Sequence, residues 1–325
     1  HNWLGLINRG KSLLPLIKEY SSYIKNSYKE INEYYYKTED VIPSAEWYLD
    51  NYYLINELIN ELIQDLSKQY ESKLMYFSGG DLAGYPRVYL LVSEFVKHSD
   101  NDLDFNQLRE YIAGYQTEAP LSSAEIWSIP IMIKVILLEK IFYQVERIRF
   151  IQREREFAEN WLNSVLGKNE NTDDFGELDK NISLSTVFIE AVARRLREYG
   201  SDAKVLFNWL DNVAGKQNLT VEKVISTENY YLTSHGVTMG NIIATIKAVN
   251  AENWSEFFEG VSLVQQILEA DPAGVFSKMD FESRDKYRHE IENLANRFRV
   301  SELTVAKEVE KLAGEQKESP QNHVG

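Results

Sequence analysis

The chain contains no cysteine, which excludes disulfides, thiolate metal sites and a cysteine nucleophile. Its five histidines are scattered, and neither a His-x3-His nor a His-Glu-x2-His spacing occurs. No metal site is expected. Positive charge is in short supply: 35 Lys and Arg stand against 50 Asp and Glu, a net charge of −15. Such a surface repels a nucleic-acid backbone and disfavours a grip on anionic lipid headgroups. No nucleic-acid partner is expected. Alternating runs and strand pairs are lacking, as are internal repeats and sustained heptads. Long apolar runs are also scarce. The longest, Ile126 to Phe142, is interrupted by Lys134 and Glu139 and reads as a buried central helix, not a membrane span. There is no initiating methionine or signal peptide, and the final stretch is polar. Both ends look cut, and the expectation is a piece of something longer.

What the chain does have is helical periodicity. In Ala45 to Leu66, the residues Trp47, Leu49, Tyr53, Leu54, Leu58, Leu62 and Leu66 recur at three- and four-residue steps. Ser44 is the expected N-cap, with Glu46 in the first turn. Pro86 is expected at the first position of a helix whose buried stripe is Val88, Leu91, Val92 and Phe95. Between them, Phe77 to Gly84 has three glycines but neither a GxGxxG fingerprint nor a following Lys-Ser/Thr, so it reads as a turn. Leu13 to Lys37 is a tyrosine-heavy helix, and Tyr34-Tyr35-Tyr36 reads as its packed rim rather than a sugar-stacking platform. Asp104-Phe-Asn-Gln107 and Ser122-Ser-Ala-Glu125 have the form of capping boxes. The second opens the central stretch, which runs on into Val145 to Trp161, with Pro130 either kinking it early or marking a late start.

Further helices are expected over Ser183 to Tyr199, Ala203 to Val213, Val221 to Thr233 and Val237 to Val249. Asn253 is expected to cap one reaching Leu268, Asp280 opens Phe281 to Phe298, and Ser301 opens Glu302 to Leu312. The fold class is all-α: about twelve helices in a bundle or array, which two packed sub-bundles would accommodate. The expected division is a long-helix subdomain over 1–166, an acidic linker loop over 167–180, a second helical subdomain over 181–314 and a polar tail over 315–325.

Chemistry is harder to find. Glu46 and Asp50 lie one turn apart beside Trp47 and Asn51. A shared helix face makes them neighbours, not a pair flanking a glycosidic bond. Asp173-Asp174 reads as solvated loop, because no strand precedes it. Asp280, Arg284, Asp285 and Arg288 have the spacing of helical ion pairs. Arg87 could hold a carboxylate or phosphate, or pair with Asp50 or another acid of the chain. Three N-glycosylation patterns, at Asn181, Asn218 and Asn253, coincide with expected helix starts, where Asn, Ser and Thr serve as caps. No Ser-His-Asp set can be assigned, and no catalytic residue is expected.

Four blocks carry a resemblance. AEWYLDNYYLI with LAGYPRVYLL and EFVKHSDNDLD forms the first. YQTEAPLSSAEIWSIPIMIKVILLEKI (Tyr115 to Ile141), HGVTMGNIIATIKAVNAENWSEFFEGVSLVQQIL (His235 to Leu268) and MDFESRDKYRHEIENLA (Met279 to Ala295) follow in order. Together they resemble the amino-terminal region of bacterial cyclic β-1,2-glucan synthases, over roughly Ser44 to Leu312. One departure is Gly240, which stands where the family pattern has a basic residue.

The resemblance implies a helical domain on the cytoplasmic side, preceding the membrane spans of an inner-membrane enzyme. That enzyme builds β-1,2-glucan from UDP-glucose and cyclises it, with its catalytic domains lying carboxy-terminal to this region. It implies no catalytic residue and no cofactor here. UDP-glucose would be the donor of the parent enzyme, and the partners would be the other domains of the same synthase. A second reading is a β-1,2-glucan-binding module using Trp47, Asn51, Tyr52, Tyr85, Arg87 and Tyr89, since aromatic faces stack on sugar rings. A third is a hydrolase-like double ring of six helix pairs, against which the single linker and unequal helix lengths argue.

Overall fold

The computed structural model describes residues 6–7, 10–38, 41–66, 68–80, 83–99, 103–166, 184–198 and 204–315. In chain order the elements are β1 Leu6–Ile7, α1 Leu14–Lys37, α2 Pro43–Asp50, α3 Tyr52–Asp65, α4 Lys68–Glu71 and β2 Tyr76–Phe77. Then come α5 Arg87–His98, α6 Phe105–Gln116, α7 Ser123–Leu166, α8 Thr186–Leu196, α9 Lys204–Gly215 and α10 Val221–Ala251. The chain closes with α11 Trp254–Val261, α12 Leu263–Glu269, α13 Phe281–Phe298 and α14 Glu302–Glu315. The all-α expectation is borne out. The expected linker over 167–180 and the tail beyond 315 lie outside the described residues.

Several boundaries follow the expected caps. Asp104 accepts the N–H groups of Asn106 and Gln107, Asn253 that of Glu256, Asp280 that of Ser283 and Ser301 that of Thr304. Ser122 and Glu125 form a reciprocal capping box: the Ser122 hydroxyl accepts from the Glu125 N–H at 3.3 Å, and the Glu125 carboxylate accepts from the Ser122 N–H at 3.0 Å.

Other boundaries differ. The expected Ala45 to Leu66 helix breaks at Asn51, whose side-chain amide donates to the Trp47 carbonyl at 3.0 Å, offering that carbonyl a local alternative to the helical ladder. The run after Asn253 breaks at Ser262, an extended residue whose hydroxyl accepts from the Gln265 N–H and opens α12. Ser44 does not cap: Pro43 occupies the first turn and Ser44 is buried inside it. Pro86 precedes α5 instead of opening it, because it is held extended in a bridge to Tyr76. α7 starts before Pro130, not after it, and α10 is continuous where two helices were expected. A strand pair is also present: β1 runs antiparallel to β2, Leu6 opposite Phe77. Two residues are too few for a period-two pattern to register in the sequence.

The chain divides into two compact units of interleaved segments. One comprises 1–17, 60–137 and 244–325, the other 18–59 and 138–243. In the first, α12, α13 and α14 pack around Val264, Leu268, Phe276, Ile291 and Ala306. In the second, α8 and α9 pack with the end of α7 around Phe188, Leu210 and Trp161, whose ring stacks on Trp209 at 4.7 Å.

At the start of the second unit, Tyr48 donates to the Ile24 carbonyl at 2.7 Å, and Tyr28 stacks on Tyr52. The expected tyrosine rim is partly realised. Tyr34 is buried and Tyr35 donates to Glu46, whereas Tyr36 is exposed. α2 approaches α10 closely because α10 carries glycines one turn apart. A Cβ on Gly236 would lie 2.7 Å from the Pro43 Cβ, and one on Gly240 would lie 3.2 Å from the Trp47 ring. The Trp47 indole thus covers Gly240. Among the described residues no helix is long and apolar enough to cross a membrane.

Candidate functional site

The six residues singled out for glucan contact fall into two groups. Trp47, Asn51 and Tyr52 belong to the second unit, and Tyr85, Arg87 and Tyr89 to the first. Trp47 is 45% exposed, while Asn51 is buried and its side-chain amide donates to the Trp47 carbonyl. Tyr52 is engaged with Tyr28 at 3.9 Å, and Tyr85 stacks on the buried Tyr89 at 5.7 Å. Of the set, Trp47 offers the most open ring.

Arg87 is buried, and its partner is Glu125. Nε donates to Oε1 at 2.9 Å and Nη2 to Oε2 at 2.5 Å, and Nη2 also donates to the Pro120 carbonyl. The alternative of a pair with an acid of the same chain is therefore realised, and Asp50 is not that acid. Burial disfavours the Arg87 charge, but the Glu125 carboxylate and, after it, the Tyr115 hydroxyl favour it, and the net effect raises the Arg87 pKa. The same Glu125 caps α7. Ser123, the first residue of α7, donates its N–H and hydroxyl to Glu302 at 3.0 and 2.6 Å. Two carboxylates thus sit at the positive end of the helix dipole. Burial is the main cause of a raised Glu302 pKa, which the Ser123 hydrogen bonds oppose and Glu292 and Glu125 reinforce.

Beside this anchor the first unit has a cleft of about 310 Å³, lined by Tyr70, Lys73, Trp127, Phe258, Asp285 and Arg288, with His289 and Glu292 also on its wall. The Trp127 ring lies half-buried and stacked on Phe258 at 4.6 Å. Arg288 is almost fully buried, its guanidinium 5.1 Å from the Phe258 ring centre and 4.8 Å from that of Phe281. It donates to Gln265 at 2.7 Å, to Asp285 and to Glu259. Arg284 also reaches Glu259, at 3.0 Å. Pairing along one helix therefore covers only part of the Asp280–Arg288 constellation, because both arginines meet a carboxylate on α11. Lys73 and Glu292 form an ion pair at 2.8 Å, and both also line an adjoining cleft of about 670 Å³ with Arg87, Glu125 and Glu302.

The arrangement puts a flat apolar face next to fixed donors and acceptors, which suits a polar ligand with one apolar face. Sequence reasoning passed over Trp127 and Lys73. Trp127 does lie in one of the four resembling blocks and Asp285 and Arg288 in another, but nothing in the blocks says that they meet. Among the described residues no group of three or more His, Asp or Glu is placed to hold a metal ion.

The chain is 26% identical over 313 residues to the cyclic beta-(1,2)-glucan synthase NdvB of Rhizobium meliloti (strain 1021). It is similar to one region of a cyclic β-1,2-glucan synthase. The match takes in 92% of this chain and 11% of the synthase, so the chain spans about a tenth of the relative's length. The resemblance carried by the four blocks is borne out. No family model matches the chain.

Proposed function

We propose that the chain is a non-catalytic, amino-terminal helical domain of a cyclic β-1,2-glucan synthase, on the cytoplasmic side, that docks on and supports the catalytic domains. The parent enzyme would polymerise glucose from UDP-glucose and cyclise the product. The observation that carries this reading is the similarity along nearly all of this chain to about a tenth of a synthase. The buried polar anchor at the start of α7 supports it, since a satisfied network of Arg87, Glu125, Ser122, Ser123 and Glu302 holds several helices in one geometry. The test is deletion of this region from the full-length protein that carries it, with glucose incorporation from UDP-glucose measured in membranes. Incorporation should fall at matched protein level and recover when the domain is supplied as a separate chain. Unchanged incorporation and glucan length would refute a supporting role.

A second reading, a β-1,2-glucan-binding module, is favoured by the Trp127 cleft, where an aromatic face and carboxylates adjoin. Titration with linear β-1,2-glucooligosaccharides should then quench tryptophan fluorescence saturably. Trp127→Ala should abolish the response and Trp47→Ala should leave it. No response at millimolar sugar would dismiss this reading.

A further inference from the structure

We propose that the second unit carries a binding site for an oxyanion, a phosphate or carboxylate group, anchored by Arg155. The site is a cleft of about 770 Å³ whose walls include Tyr34 and Lys37 of α1, Arg155 and Asn160 of α7, and Arg194 and Arg195 of α8. That volume falls in the range of about 300–1,000 Å³ usual for small-molecule sites.

The decisive feature is Arg155. It is only 6% exposed, and its Nε and Nη1 atoms are buried without a hydrogen-bond partner. Its ion pair, to Glu190, is long at 4.0 Å, and the same buried carboxylate also faces Arg194 at 3.5 Å. The Glu190 carboxylate thus faces two guanidinium groups that line the cleft. Arginine offers five donors and no acceptor, and stays charged. A buried donor without an acceptor is costly and rare in folded proteins. A group that meets either donor must bring an acceptor oxygen, and a negative charge suits the guanidinium; the Nε and Nη1 donors lie on different edges of the guanidinium, so each takes its own oxygen.

The carboxylates at the rim do not oppose this. Glu159 and Glu198 are both held by Arg195, at 3.0 and 2.7 Å. Glu156 is exposed, where solvent and salt screen it. Lys37, also exposed, adds positive charge from α1.

The test uses the intact chain, with phosphate, acetate or chloride at matched ionic strength. The Arg155 Nε–H resonance should shift saturably with phosphate or acetate and not with chloride. At ten times its dissociation constant, the bound anion should raise the folded-to-unfolded ratio about elevenfold. Arg155→Met should lose that gain, and Arg155→Lys, which keeps the charge without the planar set of donors, should retain only part of it. If Arg155→Met does not fold, the resonance titration of the unsubstituted chain decides alone. A response to phosphate alone assigns a phosphorylated ligand, and a response to both admits a carboxylate. An unmoved Arg155 resonance overturns the site, and so does one shifted equally by chloride or only by a glucooligosaccharide.

Discussion

Three glycine-to-alanine substitutions in helices test the close packing of α2 on α10. Alanine should stabilise each helix by about 0.8–1 kcal/mol relative to glycine, from backbone propensity alone. At Gly114 in α6 a new Cβ meets nothing within 4 Å, so Gly114→Ala should realise the full gain. At Gly240 the new methyl would lie 3.2 Å from the Trp47 ring, which is half-exposed and can give by a few tenths of an ångström. That variant should be close to neutral. At Gly236 the methyl would lie 2.7 Å from the Pro43 Cβ, against an ordinary carbon–carbon separation of about 3.5–4.0 Å. Pro43 sits in the first turn of α2 and has no rotamer to change, so the helices must part. Overpacking of this kind costs about 1–3 kcal/mol. The propensity gain is common to all three and cancels in the comparison. Gly114→Ala should therefore exceed Gly236→Ala in stability by about 1–3 kcal/mol, with Gly240→Ala between them. Urea denaturation followed by circular dichroism, with equal m-values across the series, provides the measurement. Equal midpoints for the Gly114 and Gly236 variants would refute the close approach.

Two other substitutions test the anchor of α7. Glu125→Ala strands the buried Arg87 charge and should cost about 3–5 kcal/mol, whereas Arg87→Met with Glu125→Leu should cost clearly less than the two single changes added together. A loss below about 1 kcal/mol in Glu125→Ala by denaturation would show that the pair is not buried as described. Glu302 has its pKa raised above the usual 4.5, chiefly by burial. Its contribution to stability is therefore fully present below the unfolded value and lost as pH rises through the folded one. Melting temperatures of the parent chain should fall relative to Glu302→Gln over that rise in pH. A gap that stays constant or closes would contradict the burial.

How far the sequence was legible depended on the range of the interaction. The caps at Asp104, Ser122, Asn253, Asp280 and Ser301 were readable because each side chain bonds a backbone group within four residues. The Ser262 N-cap, which accepts from the Gln265 N–H, was equally local and was overlooked inside an apolar run. The continuity of α10 was not legible. Glycines at 236 and 240 weaken a helix in isolation, and only contact with Pro43 and Trp47, remote in the chain, explains them. Trp47 and Tyr52 looked available for a sugar. Packing placed Trp47 against Gly240 and stacked Tyr52 on Tyr28, leaving Trp47 half-open.

The sequence by itself determined the all-α class, most helix starts and the resemblance to the glucan synthases, because periodicity, capping and ordered motifs are carried by neighbours along the chain. Only the tertiary structure decided that Arg87 meets Glu125, that Trp127 adjoins Asp285 and Arg288, and that Arg155 is buried with two donors unmatched. These pairings join segments far apart in the chain. Charge and shape complementarity at such separations is set by how helices pack, and no local pattern encodes it.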